Sequence, residues 1–385
     1  MMGTQKPLIA IIVMILALSS VYIYSDDYID VESVPSIPLN LTASGGIASV
    51  YLDWDEPASD GGKIILEYRI YVYNESVASA TSGMYVGSTS HTYFTCFNLS
   101  TGLIHYFLVA AVNSKGYGPM ANVSAVPINA SGNLTVYFID VGQGDAALIQ
   151  TPDGKNILID SGKGSAYSAL NSTLQSKSIT VIDVLIATHP HEDHIGGLDE
   201  ILRDYEVLRV YDSGYYSDSK AYDNFRKAVL AEGCPYYNDT HLDPGETMDW
   251  STEVQFVLIH IDAAASSAND ASIIIKMSFG TVDFLFTGDA EIATENRILP
   301  LFDLDVEILK VGHHGSDTSS GASFLDEVTP LVAVISVGAN NTYNHPSPDR
   351  LAQLEQRGAE IYRTDLNGSI AITTDGECWD VLCHT

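Results

Sequence analysis

Thr188-His189-Pro190-His191-Glu192-Asp193-His194-Ile195-Gly196-Gly197 follows the apolar run VIDVLIATH, which reads as a buried strand, and opens IGGLDEILRDY, which reads as a helix. His189 and His191 stand two apart on an extended segment, so their side chains point to the same side. Asp193 and His194 come one step later, where the helix begins, and can turn toward a second point. Imidazoles and carboxylates crowded into so short a run are costly to desolvate unpaired. They are good ligands for borderline-soft divalent metals.

Outward from this run, the chain from Asn133 onward mixes strands and helices. LTVYFIDV, AALIQTP, NILIDSG, VQFVLIH, ASIIIKMSF, VDFLFTGD, VEILKVG, LVAVISVG and SIAITTDG read as strands. SAYSALNSTLQSKS, AYDNFRKAVLAEG and PDRLAQLEQRG read as helices. Polar residues stand where several apolar runs end: Asp160 in ILIDSG, Asp289 in FLFTGDA, His313 and His314 in LKVGHHGS, and His345 in TYNHPSP.

In this order the motifs resemble the metallo-β-lactamase superfamily. The fuller wording FIDVGQGDAALI, HPHEDHIGG, NDASIII, LFTGDA, LKVGHHGS, ISVGANNTYNHPSP and YRTDLNGSIAI resembles the soluble metallo-domain of the ComEC-type competence DNA-uptake family. That likeness covers about 133–375. It implies an α/β fold, the αββα sandwich, with a metal site at the edge of two sheets and a divalent cofactor, two ions of zinc or manganese. Carried over residue by residue, it implies that His189 and His191 hold one ion and that Asp193, His194 and His313 hold the other. Asp289 then stands between them, and Asp160 orients a ligand from outside. His314 is the alternative to His313, otherwise a supporting residue. One departure stands out. The superfamily usually has another His twenty-odd residues before the bridging Asp, and here that position reads Ser267-Ala268-Asn269-Asp270-Ala271-Ser272. Asp270 or Asn269 is expected to complete the first site, or a water fills it. His260 lies too far back, inside a strand-like run, and reads as structural. Asp193 and His345 are the candidate catalytic residues, His345 as proton donor to a leaving oxygen. Asp140, Gln143, Gly144 and Asp145 form a strand-to-turn wall, structural or substrate-contacting.

Before this region, 35–128 has a β texture of short alternating runs (SVYLDW, EYRIYVY, HYFLVAAV) between Gly/Pro/Asp turns, which suggests a sandwich. PSIPLNLTA, Trp54, EPASDGG and LSTGLIHYFLVAAVNSKGYGP resemble a fibronectin type III module, an all-β sandwich able to serve a surface partner. Trp54 and Tyr106 read as core residues, Tyr106 at the family's tyrosine corner. The expected organisation is 1–34 membrane anchor or signal peptide plus acidic stalk, 35–128 the fibronectin-like module, and 133–385 the metallo-domain.

Leu8–Tyr24 carries no charge, is preceded by Lys6 and is followed by Asp26, Asp27, Asp30 and Glu32. The positive-inside rule places the rest of the chain outside the membrane, whether the segment stays as an anchor or is cleaved. Ten of the 17 Asn residues begin an N-x-[ST] sequon, a pattern fitting an extracellular glycoprotein. Cys378 and Cys383 would pair in an oxidising compartment, while Cys96 and Cys234 read as unpaired buried thiols.

The 385 residues carry 18 Lys and Arg against 49 Asp and Glu, a net charge of −31, with 46% hydrophobic residues. The apolar content excludes a disordered acidic chain. The scarcity of basic residues excludes tight, nonspecific nucleic-acid binding. The leading expectation is an extracellular metal-dependent phosphodiesterase or nuclease acting on a small-molecule or nucleic-acid phosphodiester. Hydrolysis of a lactam, ester or thioester, and a non-enzymatic surface-binding role, are the alternatives.

Overall fold

The computed structural model describes residues 32–73, 84–97, 99–128 and 132–384. The expected membrane segment lies outside them. Among the described residues no helix is long and apolar enough to cross a membrane.

The described residues fall into two compact units, with Ser44–Tyr51 and Thr95–His105 grouped with the larger, C-terminal one. Strands Leu39–Gly46, Ser49–Asp55 and Tyr93–Cys96 form one sheet. Met84–Thr89, Glu67–Tyr73, His105–Asn113 and Gly116–Tyr117 form another, with Ala121–Ala125 paired to its long strand. Alternation in Glu67–Tyr73 buries Tyr68, Ile70 and Val72 and leaves the intervening residues half-buried. Trp54 is buried, edge-on to Tyr68 at 5.3 Å between ring centroids, whereas Tyr106 is only half-buried.

The C-terminal unit is built on two mixed sheets. One has eight strands, in the order Tyr236–Tyr237, Val210–Asp212, Val184–Ala187, Asn156–Ile159, Ala147–Gln150, Leu134–Phe138, Ser369–Thr374 and Trp379–His384. The other has seven: Thr247–Met248, Gln255–His260, Ile274–Phe279, Val282–Phe286, Ile308–Lys310, Val332–Ile335 and Glu360–Arg363. Period-two alternation sorts their side chains into layers. Val184 and Ile186 join Phe138, Phe256, Ile275, Phe284 and Phe286 between the sheets, while Leu185 and Ala187 face helices Tyr167–Ser176, Leu198–Asp204 and Lys220–Glu232. Leu285, Leu309, Ala333 and Ile335 pack with Ile298, Phe324 and Leu354 of the helices on the far side. The order is helix, sheet, sheet, helix. Val184–Ala187 is buried at every position because both its faces are covered, which is why it reads as an unbroken apolar run.

The pairing suggested for Cys378 and Cys383 does not form: all four cysteines are free thiols. Cys383 lies near the end of the extended strand Trp379–His384 and Cys378 just before its start. A strand's rise puts the two roughly 15 Å apart, beyond the reach of a disulfide. Cys96 is buried as expected, and Cys234 partly so.

Candidate metal centre

Parallel strands end together at one edge of the two sheets. Val184–Ala187 runs into the histidine loop, Val282–Phe286 runs into Asp289, and Ile308–Lys310 runs into a turn, Gly312–Gly315, that carries His313 and His314. Carboxyl ends of parallel strands are the usual place for a site in such sheets. His191 caps the short helix Glu192–Ile195, which turns Asp193 and His194 away from the line of the strand.

Ligand atoms of His189, His191 and Asp289 lie within 4.8 Å of one another, as do those of Asp193, His194 and His314, and those of Asp145, His194 and Asp289. His189 Nε2 and His191 Nδ1 are 3.0 Å apart. Asp289 Oδ2 is 3.2 Å from His194 Nε2, 3.7 Å from His189 Nε2 and 3.8 Å from His314 Nε2. Three of these imidazoles are aimed by their other nitrogen. Asp160 Oδ2 accepts from His194 Nδ1 at 2.7 Å, and the Ser336 carbonyl accepts from His314 Nδ1 at 2.9 Å. Ser272 Oγ lies 3.3 Å from His189 Nδ1. Such partners fix the ring and raise ligand basicity.

The donor set fits a divalent cation. His194 Nε2, His314 Nε2 and Asp289 Oδ1 are buried and make no hydrogen bond, an expensive state that a cation would relieve. Burial depresses the His189 imidazole well below the ordinary histidine range, leaving it neutral. Burial also works against a charged His194, but Asp289 and Asp160 beside it hold it well above that range. Those carboxylates therefore demand positive charge at this point, which a metal supplies in place of a proton.

One expected ligand, Asp270, stands elsewhere, and His313 gives its place in a close set to its neighbour. Asp270 lies in the turn Asn269–Ala271, buried, with Oδ1 accepting from Thr294 Oγ1 at 2.9 Å and Oδ2 from Ser266 Oγ at 3.2 Å. It belongs to none of the three sets. Asn269 donates to Glu291 at 3.3 Å. Of the adjacent histidines, His314 closes a set with Asp193 and His194, in the place expected for His313. Both have left-handed backbone angles, φ 49° and 54°, so consecutive side chains leave the turn in different directions. His313 Nδ1 faces Thr318 Oγ1 at 3.2 Å and Glu291 at 3.7 Å, while its Nε2 remains 3.8 Å from Asp289. His260 is buried and hydrogen-bonded to the Ser272 carbonyl, a structural histidine.

The Asp140–Asp145 turn braces the site. Gly144 has φ 151°, and a Cβ there would lie 2.3 Å from the Asp193 carbonyl. Asp145 N–H donates to that carbonyl at 3.0 Å. The Asp140 carboxylate accepts from Gly142 N–H within the turn, and its backbone N–H donates to Ser369 Oγ at 2.9 Å. The Asp145 carboxylate is buried under the site, where Lys310 donates to it at 2.7 Å. Burial would raise its pKa, but Lys310 and then His314 hold it below the usual carboxylate range. Sequence reasoning missed Lys310, although a lysine at the end of the apolar VEILK was its signal.

A cavity of about 320 Å³ opens onto the cluster, with His191, Asp193, Asp289 and His314 in its lining. Gln143, His313, Tyr343 and His345 line the rest with Glu192. Burial, then His313 and His314, push the His345 imidazole below the ordinary histidine range.

Residues 139–339 match the Metallo-beta-lactamase superfamily, and the chain belongs to it. It is 32% identical to ComE operon protein 3 of Bacillus subtilis over 255 residues, 61% of this chain and 32% of that protein. It is 30% identical to Recombination protein 2 of Haemophilus influenzae over 239 residues, 61% of this chain and 28% of that protein. A shorter likeness, 27% over 126 residues, 28% of this chain and 42% of the relative, joins it to Ribonuclease Z of Saccharolobus islandicus. The chain thus spans about a third of the length of the competence-type relatives. Among solved structures, a human FNIII domain aligns with 26% of this chain and 84% of its own, at 21% identity and a TM-score of 0.23.

Proposed function

We propose that this chain is a metal-dependent phosphodiesterase acting on nucleic acid or nucleotides, holding two zinc or manganese ions. The carrying observation is that sets of metal-ligating atoms share Asp289 and His194 beside an open cavity. His189, His191 and Asp289 would hold one ion, and Asp193, His194 and His314 the other. When bound, such ions supply Lewis acidity toward phosphoryl oxygens and bring the pKa of water toward neutrality. Asp160, Ser336 and Ser272 keep the imidazole nitrogens aimed. His345, lining the cavity, would donate a proton to the leaving oxygen. The names of the relatives, a competence operon protein, a recombination protein and a ribonuclease, support a nucleic-acid substrate.

The charge-free Leu8–Tyr24 segment and the sequon excess support a catalytic unit outside the membrane, anchored or released. The preceding β unit we read as fibronectin type III-like, a candidate for a surface partner. The test is hydrolysis of bis-p-nitrophenyl phosphate by the purified full chain, with chelator and with zinc or manganese restored, against nitrocefin and a thioester. Chelator-sensitive phosphodiesterase activity is the expected result. Nitrocefin or thioester turnover without it would reassign the substrate class, and no turnover of any would leave a binding protein.

A further inference from the structure

We propose that Tyr343 is a stacking platform for a nucleobase beside the scissile phosphodiester, so that the site takes unpaired nucleotides in preference to duplex. This rests on the phosphodiesterase reading above. Tyr343 lines the cavity with His191, Asp193 and His314, yet is 58% exposed. Its ring lies 15° from parallel with that of His345, at 5.8 Å between centroids. The loop presenting it is built, not loose. Asn341 Oδ1 accepts from the backbone N–H groups of both Tyr343 and His345, at 3.2 and 3.0 Å. Asn341 Nδ2 donates to the carbonyls of Gly338 and His345, at 3.0 and 2.6 Å. Asn340 and Asn344 flank the ring in left-handed conformations, φ 56° and 59°. One side chain making four backbone bonds fixes the loop that holds an aromatic ring in solvent, where the ring adds little to any core.

Charge points the same way. Among the described residues that line the cavity there is no Lys or Arg, and 133–385 carries 14 basic residues against 39 acidic. The cavity lining therefore offers no Lys or Arg to neutralise the phosphates flanking the scissile one. Stacking remains, because every base has a π-face. A base inside a duplex has both faces covered by its neighbours and must be unstacked first.

The experiment measures binding of a fluorescent ten-residue oligothymidylate to the chelator-treated full chain. A strand carrying an abasic run and a duplex of equal length are the comparisons, and cleavage with manganese is followed in parallel. The wild-type chain should bind the base-bearing strand about tenfold more tightly than the other two, in line with the usual worth of one stacked base. Y343A should abolish that discrimination, and Y343W should restore it. Should this binding pattern appear without cleavage of any phosphodiester, the platform stands and the hydrolytic reading falls. Cleavage with the discrimination unchanged in Y343A, duplex bound as tightly as single strand, or no binding of the oligonucleotide at all overturns the platform.

Discussion

Asp160 Oδ2 lies 2.7 Å from His194 Nδ1 and 2.6 Å from Thr188 Oγ1, while Asp160 Oδ1 accepts from Thr188 N–H at 2.8 Å. One buried carboxylate thus sets both the loop that carries the histidines and the ring of one of them. Asn tolerates the left-handed backbone at this position, φ 59°. D160N should therefore fold but bind zinc or manganese about 10- to 100-fold more weakly. Competitive metal titration checks this, and unchanged affinity would remove the orienting role.

The neighbours His313 and His314 should separate cleanly. H314A is expected to lose bound metal, because His314 closes the set with Asp193 and His194. H313A should keep the metal content of the wild-type chain, since His313 belongs to none of the three sets of close ligand atoms. Elemental analysis of the two variants decides, and the reverse result would restore His313 as the ligand.

Asp270 is expected to matter for stability and not for metal. D270A removes the carboxylate that accepts from Thr294 Oγ1 at 2.9 Å and leaves that hydroxyl only the residue-270 carbonyl at 3.4 Å. The loss should be about 1–3 kcal/mol, read from urea unfolding, with metal content unchanged. A fall in metal content without a shift in the unfolding midpoint would reverse the assignment.

Glu295 gives a pH dependence away from the metal cluster. Burial raises its carboxyl from 4.5 to about 7, against the Gly321 and Ser320 N–H groups that favour its charged form. A carboxyl raised on folding contributes its stability in full below 4.5. That contribution falls away as pH climbs through about 7, because the unfolded chain ionises first. The shift corresponds to about 3 kcal/mol. Urea midpoints of E295Q and wild type at pH 4 and pH 8 should therefore move apart in the variant's favour as pH rises. Parallel curves would show that the group titrates normally.

The part of this site that the sequence made legible is the part that is local. His189, His191, Asp193 and His194 share one strand end and one helix start, and period two with a following turn is enough to aim them. Asp289, after its apolar run, was legible only through the motif order of the family it resembles. Asp270 was not, because a gap in a ligand pattern invites the nearest carboxylate, while the turn Asn269–Ala271 points it at Thr294. His313 and His314 are chemically identical, and only two left-handed residues in succession separate them. The Lys310–Asp145 pair joins residues 165 apart in the chain, and no periodicity reports such a meeting. The periods of the buried strands and amphipathic helices showed only a mixed α/β succession of elements, and the four layers came from the family resemblance. The disulfide failed because spacing in sequence was read without the rise of a strand.

The close approach at Gly144 bears on how metal enters. Asp145 N–H is bonded to the Asp193 carbonyl, Ser161 N–H to the His194 carbonyl at 2.7 Å, and Gly162 N–H to the Asp145 carbonyl at 2.7 Å. These are main-chain bonds between neighbouring segments, and none of them involves a ligand atom. The main-chain frame of the cradle is therefore held by the fold itself, and an ion would bind ligand side chains carried on that frame. Chelation should empty it while the domain keeps its unfolding cooperativity, unlike small zinc modules in which the ion is the core.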